Sequence, residues 1–143
     1  MNVEPDAVES LSRREMPIGS EDDVVVVRRA VRALAQKRGF NAFASAALTT
    51  ATSELTRNVW VHARKGIAIL EEVADGGRIG VRVTFEDEGP GIVDLERALA
   101  GGFSTARTMG LGLSGSRRLV DAFRIDSAVG RGTTVEIVKW KEP

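Results

Sequence analysis

The chain has 143 residues, of which 43% are hydrophobic and 28% are charged, and its 20 basic and 20 acidic residues cancel to a net charge of zero. This length suits one domain with a single sizeable core, and the balanced charge provides no basic field that would attract nucleic acid. The chain contains no cysteine, which excludes disulfides, cysteine-based zinc sites and a thiol nucleophile.

The pattern of the first residues does not predict a targeting signal. The first ten residues, MNVEPDAVES, are polar and lack the basic and apolar regions of a signal peptide. The longest apolar run in the first half, residues 24–27, is far too short to span a membrane. We therefore expect a cytoplasmic protein that binds neither a membrane nor a nucleic acid, with a flexible arm over residues 1–14 and one folded domain over residues 15–143.

A strand and a helix are predicted first along the chain. The strand covers residues 11–18 and is expected at the edge of a sheet. Ser20 and Asp23 have the spacing of a capping box, with Ser20 as the N-cap and an acid three residues later. Apolar residues then recur at helical intervals over residues 24–35, and Gly39 ends this helix.

A long helix and a hairpin follow. The helix is predicted over residues 42–63, which contain neither proline nor glycine. Two strands, residues 67–74 and 78–86, are joined by a turn at residues 75–77 that contains two glycines. In the second strand, apolar and polar residues alternate strictly, which predicts one face on a core and one face in water. The apolar set is Ile79, Val81, Val83 and Phe85.

The second half repeats the order of two helices and two strands. We predict a short helix over residues 93–100, a helix over residues 113–122 after a glycine-bearing loop, and strands over residues 124–129 and 133–140. This grouping predicts an α+β fold: a two-layer α/β sandwich with helices on one face of a mixed, mostly antiparallel sheet.

The glycines Gly110, Gly112 and Gly115 have the spacing of a dinucleotide-binding turn. That turn requires a strand directly before the glycines and a parallel strand after the next helix, and neither is predicted here. The alternative is a glycine-rich helix entry that is needed only for close packing.

A second glycine cluster, Asp87-Glu88-Gly89-Pro90-Gly91, ends a predicted strand. Two glycines remove side-chain bulk where the backbone could approach a ligand, and the Asp87 carboxylate can accept a hydrogen bond from an exocyclic amine such as that of adenine. Taken alone, the cluster is more typical of a tight turn than of a ligand site.

The third motif lies on the long helix. Glu54 and Asn58 are four residues apart and project from the same side. A carboxylate and a carboxamide are hard oxygen ligands of the kind that Mg²⁺ prefers. The alternative is a solvated pair without a ligand.

Together these motifs resemble the ATP site of the GHKL superfamily, which has the Bergerat fold. Longer segments between about residue 15 and residue 141 resemble the RsbT-type serine kinases of bacterial partner-switching pathways. These segments are TTATSELTRN, EDEGPGI, GGFSTARTMGLGLSG and GRGTTVEIVKW.

The resemblance implies ATP and Mg²⁺ as cofactors and assigns a role to each motif. Glu54 would be the general base or polarising group that orients the acceptor serine hydroxyl, and Asn58 would hold Mg²⁺. Asp87 would accept a hydrogen bond from the adenine amine, while Gly89 and Gly91 would let the backbone lie against the purine.

The resemblance also implies which residues would contact the phosphates and the rest of the nucleotide. The amides of Gly110, Leu111 and Gly112, at the N-terminus of the following helix, would surround the phosphates. Residues 102–109 would form a lid that places Ser104 and Thr105 near the nucleotide. The Thr133 hydroxyl would lie near the adenine.

The implied function is an ATP-dependent protein-serine kinase. Its substrate would be a small STAS-domain antagonist (RsbS-like), associated with an RsbR-like scaffold, and the released kinase would activate an RsbU-like PP2C-type phosphatase. The alternative is an anti-sigma-factor-like module that binds ATP and sequesters partners without phosphotransfer; the presence of Glu54 favours the kinase. The single histidine, His62, is expected to have no catalytic role.

Overall fold

The structure is a computed structural model that describes residues 8–100 and 109–142, with only the backbone for residues 109–111. Five strands and four helices occur within these ranges. In chain order they are β1 (Glu9–Ile18), α1 (Asp23–Lys37), α2 (Ala42–Ala63), β2 (Gly66–Asp75), β3 (Arg78–Asp87), α3 (Leu95–Ala100), α4 (Met109–Leu119), β4 (Ala122–Ala128) and β5 (Gly132–Trp140).

The strands form one sheet in the order β1-β2-β3-β5-β4, and each neighbouring pair is antiparallel. The α+β prediction is confirmed, but the expectation of a mixed sheet is wrong for the strands described. The reason is that β5 rather than β4 lies beside β3, so the crossover through α3 and α4 creates no parallel pair.

The core lies between the helices and one face of the sheet. The alternation predicted for β3 is confirmed, because Val81, Val83 and Phe85 are buried against the helices. They meet Leu48 and Leu55 of α2 in the same apolar cluster. The opposite face of the sheet carries polar pairs such as Arg82 with Glu71 (2.9 Å), as expected for a face in contact with water.

The first two elements begin at different residues from those predicted. β1 begins at Glu9, two residues before the predicted strand, so residues 9–14 of the expected flexible arm pair with β2. The polar residues of this segment suit an edge strand. α1 begins at Asp23 with Asp22 as its N-cap, so Ser20 is not the cap. The Asp23 carboxylate instead accepts hydrogen bonds from the backbone N–H groups of Ser20 and Gly19.

The later boundaries shift because the glycines of α4 are helical. α4 begins at Met109, four residues earlier than predicted, and ends at Leu119. Gly112 therefore lies inside the helix rather than before its start, whereas Gly115 is helical as predicted. β4 correspondingly begins at Ala122. No helix in residues 8–100 and 109–142 is both long and apolar enough to cross a membrane.

A buried carboxylate ties the edge strand to the helical layer. Glu72 of β2 has a side chain that is only 3% exposed. It accepts hydrogen bonds from the Ser12 hydroxyl of β1 (2.7 Å), from Arg38 Nε (2.6 Å) and from Lys37 Nζ (3.2 Å). The hydrogen bond from Ser12 and those from Arg38 and Lys37 outweigh burial and lower the pKa of Glu72 from 4.5 to about 2.

The low pKa of Glu72 predicts an acid-sensitive contribution to stability. Because the pKa is 4.5 in the reference state and about 2 in the folded chain, the contribution is complete above pH 4.5 and is lost as the pH falls towards 2. Its size is about 3 kcal/mol or less. We expect Glu72→Gln to lower the free energy of unfolding at pH 7 by about 2 kcal/mol and to reduce its dependence on pH between 5 and 2, as measured by urea unfolding.

Glu15→Gln is the control, since Glu15 pairs with Arg13 on the exposed side of the same edge strand and such a pair contributes about 0.5 kcal/mol. Equal losses in the two variants would contradict the role of Glu72.

Candidate nucleotide site

Three of the predicted site residues line one cavity. Asn58 comes from α2, Asp87 is the last residue of β3, and Thr133 is its register partner in β5. The remaining wall is apolar and consists of Leu55, Val59, Phe85, Ile92, Leu113 and Val135. The fold therefore brings together the proposed metal ligand, the proposed adenine acceptor and the hydroxyl expected beside it.

This cavity is closed to a nucleotide. Its volume is about 20 Å³, whereas pockets for ligands of nucleotide size occupy at least about 300 Å³. A larger cavity of about 580 Å³ also touches Asp87, but its wall includes Lys65 and Glu86 and lacks Asn58 and Thr133. The residues with the expected chemistry thus surround the smaller space, and α4 or the segment at Ile92 has to withdraw before a purine can enter.

Asp87 is half-buried at the end of its strand. Burial raises the pKa of its carboxyl group, and hydrogen bonds from the backbones of Gly89 and Thr133 oppose that rise. The distance from the Gly89 nitrogen to Oδ1 is 2.8 Å. A partly desolvated carboxylate in this position is a strong acceptor for an amine that displaces water.

His62 is an electrostatic neighbour of Asp87 that the sequence analysis left without a role. Burial lowers the pKa of His62, and the negative charge of Asp87 opposes this effect. The signal in the sequence was the spacing, because His62 lies one helical turn after Asn58 on the same helix.

The turn after Asp87 is packed closely against the rest of the protein. Gly91 has a φ of 78°, and a Cβ atom there would collide with the backbone of Ala128. The Gly130 N–H donates to the carbonyl oxygen of Pro90 at 2.9 Å. A Cβ atom on Gly89 would lie 2.7 Å from that of Ala63. In the described structure these glycines therefore let the turn pack on α2 and on the β4–β5 turn.

Ser127 is a second residue that the sequence analysis missed. Its hydroxyl oxygen accepts a hydrogen bond from the Ile92 N–H (2.9 Å) and lies 2.8 Å from the Thr133 hydroxyl oxygen. It thereby connects the end of the glycine turn to the strand that carries Thr133. Nothing in the spacing of the sequence distinguishes it from an ordinary strand serine.

The N-terminal part of α4 lies directly against Asn58. A Cβ atom on Gly112 would be 3.0 Å from Asn58 Nδ2. This nitrogen is buried and has no hydrogen-bond partner among the described residues, which is uncommon for a buried polar atom. The side-chain amide is thus positioned next to the helix N-terminus without an internal partner.

The predicted phosphate-binding glycines lie within the helix. Gly110, Leu111 and Gly112 belong to the first turn of α4, where backbone N–H groups have no partner within the helix and attract anions. They were expected just before the helix, but a position in its first turn leaves their amides available in the same way. Ser104, Thr105 and residues 102–108 of the expected lid lie outside the described residues.

Glu54 lies one turn before Asn58 and outside the cavity wall. Its side chain is 44% exposed and pairs with Arg57, with a distance of 3.2 Å between Oε1 and Nη1. The carboxylate therefore faces solvent beside the cavity, where a second protein could reach it. Arg57 had not been singled out from the sequence.

The contact between Gly112 and Asn58 can be tested with two alanine substitutions in one helix. Alanine favours a helix over glycine by about 1 kcal/mol, and a Cβ atom at Gly115 meets nothing within 4 Å. We expect Gly115→Ala to raise the melting temperature and leave ATP affinity unchanged. Gly112→Ala should displace the Asn58 amide and weaken Mg²⁺-ATP binding about tenfold in calorimetry, equivalent to about 1.4 kcal/mol. Identical affinities in the two variants would contradict the proposed role of this contact.

Comparison with known proteins agrees with this geometry. Residues 19–139 match the family described as the histidine kinase-like ATPase domain. The match covers most of the chain, so the protein belongs to this family of ATPases, for which ATP is the ligand.

Individual relatives show which branch of this ATPase family the chain resembles. The chain is 42% identical over 123 residues to the serine/threonine-protein kinase RsbT of Bacillus subtilis (strain 168), a match that covers 86% of this chain and 92% of RsbT. It is 30% identical over 99 residues to the anti-sigma F factor of Thermoanaerobacter sp. (strain X514), covering 65% of this chain and 68% of that protein. The chain therefore belongs to the RsbT-type branch named in the sequence analysis.

A solved structure supports the fold. The structure of the RsbU and RsbW domains of Rv1364c from Mycobacterium tuberculosis superimposes with a TM-score of 0.64 and 19% sequence identity, over 92% of this chain. The match spans only 33% of that longer chain. It confirms the two-layer architecture.

Proposed function

We propose that this protein is an ATP-dependent protein-serine kinase of a bacterial partner-switching pathway. It would phosphorylate a small STAS-domain antagonist resembling RsbS, which an RsbR-like scaffold accompanies, and once released it would activate an RsbU-like PP2C-type phosphatase. The observation that carries the proposal is the pairing of a closed cavity, lined by Asn58 and Asp87, with an exposed carboxylate, Glu54, one helical turn away.

The chemistry of the residues around the cavity suits ATP with Mg²⁺. Asn58, whose side-chain nitrogen has no hydrogen-bond partner among the described residues, would offer its side-chain oxygen as one hard ligand, and Mg²⁺ commonly takes only one or two protein ligands together with phosphate oxygens and waters. No cluster of three acidic or histidine side chains that could hold a metal occurs in the described part of the chain. When bound, Mg²⁺ would neutralise charge on the phosphate oxygens during transfer.

In the proposed phosphate transfer, Glu54 orients the acceptor serine and takes its proton. Its carboxylate accepts a hydrogen bond from the acceptor serine and points the oxygen at the γ-phosphorus. As the new O–P bond forms, the bond from the γ-phosphorus to the bridging oxygen breaks and ADP leaves. The serine proton passes to Glu54 and then to water. A serine hydroxyl is too weak an acid to ionise first, so positioning and charge stabilisation dominate the acceleration.

A binding module without phosphotransfer is the second candidate. The 30% identity to an anti-sigma F factor favours it, since sequestration needs a partner surface and a nucleotide-dependent shape but no base. Glu54 favours the kinase, because binding ATP does not by itself require a carboxylate that faces away from the adenine cavity.

Two substitutions separate chemistry from nucleotide binding. Glu54→Ala should reduce the transfer of labelled phosphate from ATP to the STAS-domain antagonist of the same organism by at least about a hundredfold, with ATP affinity kept. Asp87→Asn should weaken ATP binding by about tenfold or more, because it replaces a charged acceptor by a neutral one. Calorimetry and gel-based transfer measure the two effects.

Wild-type levels of transfer by Glu54→Ala would remove its assignment as the base. An absence of transfer by the unmodified chain, with ATP bound, would instead favour the sequestering module.

A further inference from the structure

An uncharged stripe on α2 leads to Glu54. The first twelve residues of the helix, residues 42–53, contain no charged side chain. Phe43, Ala47, Thr50 and Glu54 follow one another at intervals of four and three residues, which places them along one side of the helix. Phe43 is 91% exposed, although an aromatic side chain gains most from burial.

α4 forms the other wall of a groove along this stripe. Its N-terminal Gly112 lies against Asn58, whereas Arg118 and Leu119 near its C-terminus share a cavity of about 280 Å³ with Phe43 and Ala47. The two helices are therefore antiparallel. We define the α2–α4 groove by Phe43, Ala47, Thr50, Gly115 and Arg118.

The α2–α4 groove is open in its middle and reaches the proposed catalytic acid. A Cβ atom on Gly115 would meet nothing within 4 Å, so no side chain among the described residues fills the space next to Gly115. Phe43 and Glu54 are eleven residues apart, which corresponds to about 16 Å along the helix axis. A single small domain can cover this distance.

An arginine without an ion pair lies at the groove. Arg118 of α4 lines the cavity beside Phe43, is exposed, and pairs with no carboxylate among the described residues. Two other charged residues line the cavity beside Phe43. Lys139 pairs with Asp121 (3.5 Å), and Glu142 forms no ion pair among the described residues. Farther along, Glu54 is paired with Arg57.

α1 adds positive charge on the side nearest α2. Its opposite flank faces β1, because the residues that line the cavity between α1 and β1 are Ala30, Ala33, Leu34 and Lys37. With 3.6 residues per turn, Arg28 and Arg32 fall on the flank that faces α2. Both are exposed.

We propose that the α2–α4 groove is the docking surface for the protein that presents the acceptor serine. Its occupant is an acidic protein surface with an apolar pocket that receives Phe43, since the arginines supply charge complementarity and exposed aromatic residues commonly anchor interfaces. The inference rests on the proposed kinase function. Docking along the groove would bring the partner's hydroxyl to Glu54.

The test measures binding separately from phosphotransfer. Calorimetry with the STAS-domain antagonist of the same organism and a non-hydrolysable ATP analogue would compare the wild type with Phe43→Ala and Arg118→Glu. We expect Phe43→Ala to weaken binding of the antagonist about tenfold or more. Arg118→Glu should weaken it and also flatten its dependence on salt, because fewer charges are screened.

Matched controls lie on the edge strand, away from α2. Leu11→Ala removes an apolar side chain that is 42% exposed, and Arg14→Glu reverses an exposed charge. Both controls should bind the antagonist with an affinity within about twofold of that of the wild type. All four variants should also bind ATP with an affinity within about twofold of that of the wild type.

The results distinguish a failure of the proposed docking surface from a failure of the proposed kinase function. Unchanged affinity of Phe43→Ala and Arg118→Glu for the antagonist would overturn the docking surface even if the wild type transfers phosphate. A wild-type chain that binds ATP but not the antagonist would overturn both the proposed partner and the groove as its site.

Discussion

The close approach of α4 to α2 is the constraint on which the rest of the structure depends. A Cβ atom at position 112 would lie 3.0 Å from Asn58 Nδ2, so glycine there lets α4 lie against the Asn58 amide without displacing it. This contact sets the N-terminus of α4 beside the cavity that Asp87 and Thr133 line. The same antiparallel packing places the C-terminal end of α4 next to Phe43. One helix pair thus defines both the nucleotide cavity and the surface beside the proposed base.

This arrangement links the nucleotide to the partner surface. The cavity has room for about 20 Å³, so a purine can enter only if its walls separate, and α4 is one of those walls through Leu113. Because α4 is also one wall of the α2–α4 groove, a shift that admits ATP changes the groove as well. Nucleotide binding and partner binding would then influence each other through a shared element rather than through distant contacts.

Much of the fold could be predicted from periodicity, because β3 alternates strictly and α2 lacks both proline and glycine. The strand order could not, since the placement of β5 beside β3 depends on long-range packing that no local pattern encodes. The start of α4 was misjudged because glycine disfavours helices, whereas Gly112 is helical here and packs against Asn58 of α2. The sequence predicted that three site residues lie together, and the structure places them in one cavity wall: Asn58, Asp87 and Thr133. Three further residues are connected to the site only by contacts that form in the folded chain: Ser127 with Thr133, Arg57 with Glu54, and His62 with Asp87.

The most direct test of this account is a crystal structure of the protein with Mg²⁺ and a non-hydrolysable ATP analogue. The account predicts that the adenine amine lies about 3 Å from the Asp87 carboxylate, that the metal binds the side-chain oxygen of Asn58, and that Gly112 has moved away from that side chain. A nucleotide bound instead in the larger cavity beside Lys65 and Glu86, with Asn58 still packed against Gly112, would contradict it.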